Sequence, residues 1–444
     1  MSGKGRVVIV GAGLVGCLAA CFLSRRGYTV EVFERRSDPR RGDVERGRSI
    51  NLALSERGLD ALRRIDLESS VMAPALPMYG RAMHGVDGVE SFQTYSAEGD
   101  RAINSISRGA LNETLLNAAE AAHGVSVHFD MSLTAYNVET GSMTFDGPAG
   151  KKHARAQHVL GADGWRSQVR QSLADAGVVS VEPEMLDYSY KELTIPAVNG
   201  EFALRPDALH IWPRGIEMLI ALPNPDKSFT CTLFWPKSQF DALTTDADVL
   251  AHFAELYPDA VPLIPDLLDD YRHNPVGILG TIHTTPWVHD GKVALIGDAA
   301  HAILPFFGQG ANCGFEDVVE LDACLDETGD DWDAALKLYN DRRFVNAEAI
   351  ALMAQENFIE MRDKVGSKLF LASKKVEHAL ERAIPQWYSS RYELVSFSTV
   401  PYAEVLERSQ RQQKVMAVAG IAASALAATV ALTTAVIRKK GSSS

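Results

Sequence analysis

The sequence predicts an α/β fold in which a Rossmann-like dinucleotide-binding domain carries an inserted antiparallel sheet and is followed by a helical region. Three observations support this prediction: a strand–glycine turn–helix–strand pattern from Arg6, β-rich runs bounded by Pro, Gly and Asn, and helix-like apolar spacing towards the C-terminus. We predict a discontinuous dinucleotide-binding domain over 1–180 and 276–328, a β-rich substrate domain over 181–275, a helical region over 329–414 and an apolar tail over 415–437.

Length and composition narrow the class of protein. A chain of 444 residues is too long for a single compact core. Its 44 Lys+Arg against 57 Asp+Glu give a net charge of -13, which disfavours nucleic acid as a partner. Five cysteines without CxxC or metal-ligand spacing indicate reduced thiols and no zinc site. The first strand follows the N-terminus too closely for a secretory signal peptide. We therefore expect a cytosol-facing protein that holds any anionic ligand locally.

The first element pair, RVVIVGAGLVGCLAACFLSRRGYTVEVFER, has the order of a dinucleotide-binding unit. Gly11 permits the tight turn, Gly13 lets the backbone approach a pyrophosphate, and Gly16 lets the helix pack closely on the sheet. The helix N-terminus favours the phosphate charge. Glu34 ends the second strand, where an acid accepts a ribose hydroxyl and disfavours a 2′-phosphate. The unit is thus predicted to bind FAD or NAD rather than NADP.

Two later glycine–aspartate turns extend this crevice. Asp163 lies in HVLGADGWRSQVR (158–170), and Asp298 ends a strand in KVALIGDAAHAILPFFGQGANCGFEDV (292–318). The carboxyl ends of parallel strands share one edge, so one long ligand is predicted to span all three turns. Helix capping is the alternative role for either aspartate. No second GxGxxG occurs, so a separate nicotinamide domain is not expected.

The three motifs together resemble the FAD-dependent aromatic hydroxylases built on the para-hydroxybenzoate hydroxylase fold. Longer runs are similar to one family among these hydroxylases, the kynurenine 3-monooxygenases. These runs include GRSINLALSERG (47–58), ELTIPAVNGEFAL (192–204) and GDAAHAILPFFGQGANCGFED (297–317). This resemblance implies bound FAD, with NADPH as a transient co-substrate and O2 as the oxidant. It also implies hydroxylation of L-kynurenine to 3-hydroxy-L-kynurenine through a flavin C4a-hydroperoxide, in tryptophan degradation and NAD biosynthesis.

The resemblance assigns substrate contacts to four residues: Arg81, Tyr95, Asn357 and Tyr392. Their chemistry fits an amino acid with an aniline ring, because a guanidinium can bind a carboxylate through two hydrogen bonds and the phenol hydroxyls can each donate one more. On residue type alone, each has a structural alternative, such as a surface salt bridge for the arginine or half-buried packing for a tyrosine.

The resemblance also assigns the cofactor contacts. They fall on Gly11, Gly13, Val15, Gly16, Glu34, Arg35, Ala53, Arg108, Leu133, Asp298, Gly310, Ala311 and Asn312. The flavin carries the chemistry in this family, so no catalytic side chain and no metal are assigned. His301 is expected to be structural, and Phe306 and Phe307 are expected to form an apolar wall near the flavin.

The C-terminal tail, residues 415–437, is 23 residues long and uncharged, against about 20 that span a bilayer. We predict a C-terminal membrane anchor, and the eukaryotic members of the family imply the mitochondrial outer membrane, facing the cytosol. An alanine-rich packing helix is the alternative. Two alternatives for the function also stay open, namely a flavin hydroxylase of another aromatic acid and a non-catalytic binding protein on the FAD fold.

Overall fold

The computed structural model describes residues 4–41, 51–363, 377, 379–384 and 387–415. The strands are β1 (Arg6–Val10), β2 (Thr29–Phe33), β3 (Asn51–Leu54), β4 (Leu76–Met78), β5 (Gly80–His84), β6 (Glu90–Thr94), β7 (Ile103–Ser107), β8 (Val125–His128), β9 (Ser132–Asn137), β10 (Ser142–Gly147), β11 (Gly150–Arg155), β12 (His158–Gly161), β13 (Ser180–Ile195), β14 (Ala208–Arg214), β15 (Glu217–Pro223), β16 (Phe229–Pro236), β17 (Gly277–Thr285), β18 (Val288–His289) and β19 (Val293–Leu295). The α-helices are α1 (Leu14–Arg25), α2 (Glu56–Arg63), α3 (Glu68–Met72), α4 (Arg108–Ala121), α5 (Gln168–Asp175), α6 (Lys237–Ala242), α7 (Asp246–Leu256), α8 (Leu267–His273), α9 (Gly310–Glu327), α10 (Trp332–Asp363) and α11 (Arg391–Phe397). A further helix covers 402–415.

The predicted dinucleotide-binding sheet is confirmed as a six-stranded sheet with the order β18-β19-β12-β1-β2-β8. All of its pairs are parallel except β18 with β19. The β-branched run of β1 is buried on both faces, which explains why it shows no polar alternation. The strands β1, β2, β12 and β19 end at one edge, and the three glycine-rich turns leave the sheet there.

The second large sheet has seven strands in the order β17-β13-β16-β15-β14-β5-β6. Along β15, Met218 and Ile220 pack towards α10, whereas Leu219 and Ala221 pack against the α7–α8 side, as the two-residue period of a strand requires. The sheet extends beyond the predicted insertion 181–275, because β5, β6 and β17 join it. Strand β5 pairs in parallel with β14, with Gly80 opposite Ala208, and no local pattern reveals a pairing over such a separation. The division into domains stays a prediction.

Two small sheets and one long helix complete the site's surroundings. The sheet β3-β7-β4 lies beside the N-terminus of α9, and the sheet β11-β10-β9 packs on the core of the parallel sheet. Helix α10 is 32 residues long and carries Asn357 near its C-terminal end. Helix α11 and the helix 402–415 pack on α9 and α10 through Leu394, Val395, Tyr402 and Val405.

No helix within the described ranges combines the length and the apolarity needed to cross a bilayer. The predicted anchor, 415–437, lies outside the described residues except for Val415. The predicted fold class is corrected on this point: the α/β architecture is confirmed, whereas no described helix supplies its transmembrane segment.

A buried histidine pair lies on two neighbouring strands of the seven-stranded sheet, β5 and β14. His210 Nε2 donates to the carbonyl of Arg205 at 2.9 Å, so its Nδ1 accepts from His84 Nε2, also at 2.9 Å. Both rings are buried, and a proton on His210 Nδ1 would oppose the N–H of His84. Burial lowers the pKa of His210 from 6.5 to about 4.

This pair makes stability depend on pH. As pH falls, His210 is protonated near pH 6.5 in the unfolded chain but only near pH 4 in the folded protein. The contribution of neutral His210 to folding stability is therefore complete above pH 6.5 and is lost as pH falls towards about 4. We expect about 3 kcal/mol of acid destabilisation from this group. Urea unfolding at several pH values measures it, with His210→Gln expected to flatten the slope and the exposed His153→Gln expected to leave it unchanged. An identical slope in His210→Gln contradicts the assignment.

Candidate active site

The first glycine turn has the shape that close helix–sheet packing requires. Gly11 has φ 106°, and a Cβ there would lie 2.5 Å from the carbonyl oxygen of Ala162. A Cβ on Gly16 would lie 2.0 Å from the carbonyl oxygen of Gly11. A Cβ on Gly13, by contrast, would have no heavy atom of another segment within 4 Å. Gly13 precedes α1 and gives it no side-chain cap. The N-terminus of α1 is thus free on the side where a pyrophosphate would bind.

The carboxylate of Glu34 lies beside this turn. It accepts hydrogen bonds from the backbone N–H of Ala12 at 2.9 Å and of Arg36 at 3.0 Å. The side chain is held where β2 leaves the sheet, and the neighbouring Arg35 is exposed. This position suits an acceptor for a ribose hydroxyl at the edge of the crevice.

The later glycine turns close the other side of the crevice. Val15 packs between two glycines, because a Cβ on Gly297 would lie 3.0 Å from Val15 Cγ2 and one on Gly314 only 2.7 Å from it. This contact brings the N-termini of α1 and α9 together. Asp298 is exposed beside them, and Gly310 starts α9 with open space around it. The two helix N-termini therefore form one continuous site for a long anionic ligand.

The side chain of Asn312 has a structural task. Its Nδ2 donates to the carbonyls of Ala53 and Gly308, both at 2.8 Å, and its Oδ1 accepts from Ser55 N at 3.0 Å. The amide thus ties β3 to the start of α9. Only the backbone N–H groups at this helix start, those of Ala311 and its neighbours, remain suited to a cofactor.

Three other residues singled out in the sequence are placed differently. Arg108 is exposed at the start of α4, and Leu133 is packed in the core of the parallel sheet, so their cofactor contacts stay predictions. Asp163 accepts from Ser167 Oγ and from the N–H groups of Gln168 and Val169, at 2.6 and 3.2 Å, which is the capping role.

The structure brings three of the four predicted substrate residues together. Arg81 on β5 places its guanidinium carbon 4.8 Å from the ring centroid of Tyr392 and 5.7 Å from that of Tyr95. The two rings stack with centroids 4.9 Å apart. Arg81 Nε is buried and has no hydrogen-bond partner among the described residues. A buried, unpaired donor on a cation is costly, so this position calls for an anionic ligand.

The ionisation states in this cluster suit such a ligand. Burial raises the pKa of Tyr95 and of Tyr392, so both phenols keep their protons and can donate. Burial opposes the charge of Arg81, but Tyr392, Tyr95 and Glu360 outweigh it and raise the pKa of Arg81. Glu360 was not predicted from the sequence. Its place one helical turn after Asn357 on α10 is the signal that could have indicated it.

Asn357 is the fourth predicted substrate residue, and it lies on α10 beside the packed rings of Phe306 and Phe358. Its Nδ2 donates to the carbonyl of Phe306 at 2.7 Å, which joins α10 to the turn that leads into α9. The Phe306 ring stacks on Phe358 at 4.3 Å and contacts Phe234 at 5.0 Å. Phe307 lies 6.0 Å from Tyr392, so the two phenylalanines lie between the start of α9 and the Arg81 cluster, and the apolar wall near the flavin stays a prediction.

His301 belongs to a buried ion-pair network. Its Nε2 lies 2.6 Å from Asp317 Oδ2, and Asp317 also accepts from Arg343 Nε at 2.8 Å. The carboxylate raises the pKa of His301 against the effect of burial. His301, Cys313 and Asp317 lie close enough to hold a metal ion, but Arg343 already supplies the compensating cation, 3.2 Å from Cys313 Sγ. A structural role therefore fits His301.

Comparison with known proteins agrees with this geometry. The family model for the FAD binding domain matches residues 4–353. The chain is 47% identical to a kynurenine 3-monooxygenase from Myxococcus xanthus, covering 90% of this chain and 87% of that protein. It is 42% identical to one from Dictyostelium discoideum, covering 92% of each, and 43% identical to one from Stenotrophomonas maltophilia, covering 93% and 91%. The chain belongs to the kynurenine 3-monooxygenase family.

Solved structures share the fold of this kynurenine 3-monooxygenase family member. The tetrameric form of 2-methyl-3-hydroxypyridine-5-carboxylic acid oxygenase matches with a TM-score of 0.66 and 23% identity, covering 82% of this chain and 95% of that one. PqsL of P. aeruginosa in complex with 2-aminobenzoylacetate matches with a TM-score of 0.67 and 20% identity, covering 84% and 99%.

The predicted location on the mitochondrial outer membrane is wrong. Relatives as similar as those from Myxococcus xanthus and Stenotrophomonas maltophilia are bacterial kynurenine 3-monooxygenases, and bacteria have no mitochondria. The predicted membrane association through the C-terminal segment likewise has no support in the described helices.

Proposed function

We propose that the protein is a FAD- and NADPH-dependent monooxygenase that hydroxylates L-kynurenine to 3-hydroxy-L-kynurenine. The observation that carries this proposal is the buried, unpaired Nε of Arg81 beside two stacked tyrosines, one of which lies 6.0 Å from the Phe307 ring just before α9.

The FAD would lie across the converging starts of α1 and α9, where two free helix N-termini favour its phosphates. When bound, FAD supplies the oxygen activation that side chains lack. We assign its contacts to Gly11, Gly13, Val15, Gly16, Glu34, Arg35, Ala53, Arg108, Leu133, Asp298, Gly310, Ala311 and Asn312. The open space at Gly13 and Gly310 supports this assignment, since a side chain there would fill the cradle.

In the substrate site, the guanidinium of Arg81 would bind the α-carboxylate of kynurenine, and the neutral phenols of Tyr95 and Tyr392 would donate to it. Asn357 would contact the substrate from α10. The charge of Glu360, which acts on Arg81, complements the α-ammonium. The aniline nitrogen already enriches the ring carbon to be hydroxylated, so the protein's task is to orient the ring and exclude water.

The main alternative is a flavin hydroxylase of another aromatic acid, because any carboxylate satisfies Arg81. The identity of 42–47% to kynurenine 3-monooxygenases favours kynurenine over a simple phenolic acid. A non-catalytic binding protein is the second alternative, and the buried Arg81 cation beside stacked aromatic rings argues for a small-molecule ligand rather than a protein partner.

The test is NADPH oxidation by the flavin-loaded protein with kynurenine and with 4-hydroxybenzoate, with products identified by mass spectrometry. We expect a yellow protein, kynurenine-dependent oxidation and 3-hydroxykynurenine as product. Stimulation by 4-hydroxybenzoate alone would support the hydroxylase alternative. A colourless protein after dialysis against excess FAD would contradict the proposal altogether.

A further inference from the structure

Arg57 is a buried arginine that neither the motifs nor the proposed chemistry use. It lies on α2, its side chain is 0% exposed, and its guanidinium carbon lies 3.8 Å from the ring centroid of Tyr402. It forms an ion pair with Glu316 on α9. Burying a guanidinium is costly unless every donor is used, so the arrangement of its partners is informative.

The partners of Arg57 lie on both sides of the active site. Its Nε donates to the carbonyl of Val395 at 3.3 Å, and its Nη2 donates to that of Val400. Val395 lies three residues after Tyr392 on α11, so Arg57 holds the helix that presents this tyrosine. The other ion pairs of α11, through Arg391 and Glu393, are partly exposed and so contribute less.

The flavin side of the site rests on the same network. Glu316 also accepts from Arg343 Nη1 at 2.7 Å. Arg343 in turn donates to Asp317, which accepts from Gly297 N at 2.8 Å, directly before Asp298. Tyr402, which stacks on Arg57, donates to Gln309 at 2.8 Å, one residue before α9 begins. A chain of hydrogen-bonded, largely buried charged side chains thus joins Gly297, directly before the proposed cofactor contact Asp298, to the helix that carries Tyr392.

We infer that Arg57 is a positioning residue that sets the place of Tyr392 relative to the flavin. This inference rests on the proposed function. Arg57 touches neither substrate nor cofactor, and acts by holding α11 against α2 and α9. Loss of the Arg57 guanidinium group should let Tyr392 shift while the proposed FAD-binding site stays intact. The hydrogen bonds that join Arg343, Asp317 and Gly297 do not involve Arg57.

The test uses Arg57→Lys, which keeps the charge but cannot span Glu316 and two carbonyls. Per bound flavin, we expect KM for kynurenine to rise about tenfold and kcat to fall less than threefold. More of the oxidised NADPH should yield hydrogen peroxide instead of product, while FAD affinity stays unchanged. A merely structural role would lower the yield of flavin-loaded protein without altering KM per flavin.

The matched control is Arg26→Lys, another largely buried arginine that pairs with α9, through Asp322 at 2.9 Å, without contacting α11. Its KM should stay within twofold of the wild type. If Arg57→Lys does not fold, Glu316→Gln decides the question, since it weakens the ion pair that holds Arg57 in place, and about a threefold rise in KM is expected.

Wild-type KM and coupling in the folded variants, or an equal rise in Arg26→Lys, overturn the inference. Failure of the proposed function is separate, because it appears as absent kynurenine-dependent oxidation in the wild-type protein itself.

Discussion

Arg81→Ala is expected to weaken kynurenine binding by about a thousandfold while the protein keeps its FAD. Truncating one partner of a buried charge-assisted contact costs about 2–5 kcal/mol, and every 1.4 kcal/mol is tenfold in affinity. Arg81 lies on β5, away from the glycine turns, so the cofactor site should be untouched. Titrating kynurenine against the flavin absorbance measures the change.

The control for this variant is Arg205→Ala. Arg205 is also an arginine beside an aromatic ring, 3.9 Å from the Phe92 centroid, but it pairs with the part-exposed Asp207. Its loss should leave kynurenine affinity within twofold. Near-normal affinity in Arg81→Ala would remove Arg81 from the substrate site.

Gly16→Ala is expected to prevent formation of a stable flavoprotein. The added methyl group would lie 2.0 Å from the Gly11 carbonyl oxygen and 3.3 Å from the Ala162 Cβ, and neither backbone can move without lifting α1 from the sheet. Overpacking of this kind costs about 3 kcal/mol or more. Thermal unfolding and flavin retention measure both consequences.

Substitutions at two other glycines distinguish an effect on helix–sheet packing from an effect on cofactor binding. Gly13→Ala should fold normally but bind FAD weakly, because its methyl group would project into the space for the pyrophosphate. Gly109→Ala, within α4, meets only Ser107 Oγ at 3.7 Å and should be neutral or stabilising by about 0.5–1 kcal/mol. A Gly16→Ala protein with wild-type stability and flavin content would refute the packing argument.

The cofactor half of the site could be predicted from sequence because its signals are local. The β1–α1–β2 unit and the strand that delivers Asp298 each lie within one short segment, and parallel strands bring their carboxyl ends to one edge. The side-chain role of Asn312 could not be predicted, since its partners Ala53 and Ser55 lie more than 250 residues away. The sequence showed the turn, and only the folded chain showed what the amide holds.

In the substrate half of the site, by contrast, the sequence carries no local signal and the tertiary structure decides the arrangement. Arg81, Tyr95 and Tyr392 were named through resemblance, and no spacing in the chain indicates that they meet. They meet because β5 pairs with β14 and α11 packs on α9, contacts between segments far apart in sequence. The task of Arg57 could not be predicted for the same reason, and Glu360 was indicated only by its place one helical turn after Asn357.

Residue order along the chain therefore determined the dinucleotide-binding unit, the strand alternation and the class of cofactor, because hydrophobic period and glycine geometry act over a few residues. Tertiary structure alone decided which guanidinium nitrogen stays unpaired, which carboxylate acts on that guanidinium and which arginine contacts α11. Those properties depend on burial, and burial exists only once distant segments have packed and excluded water.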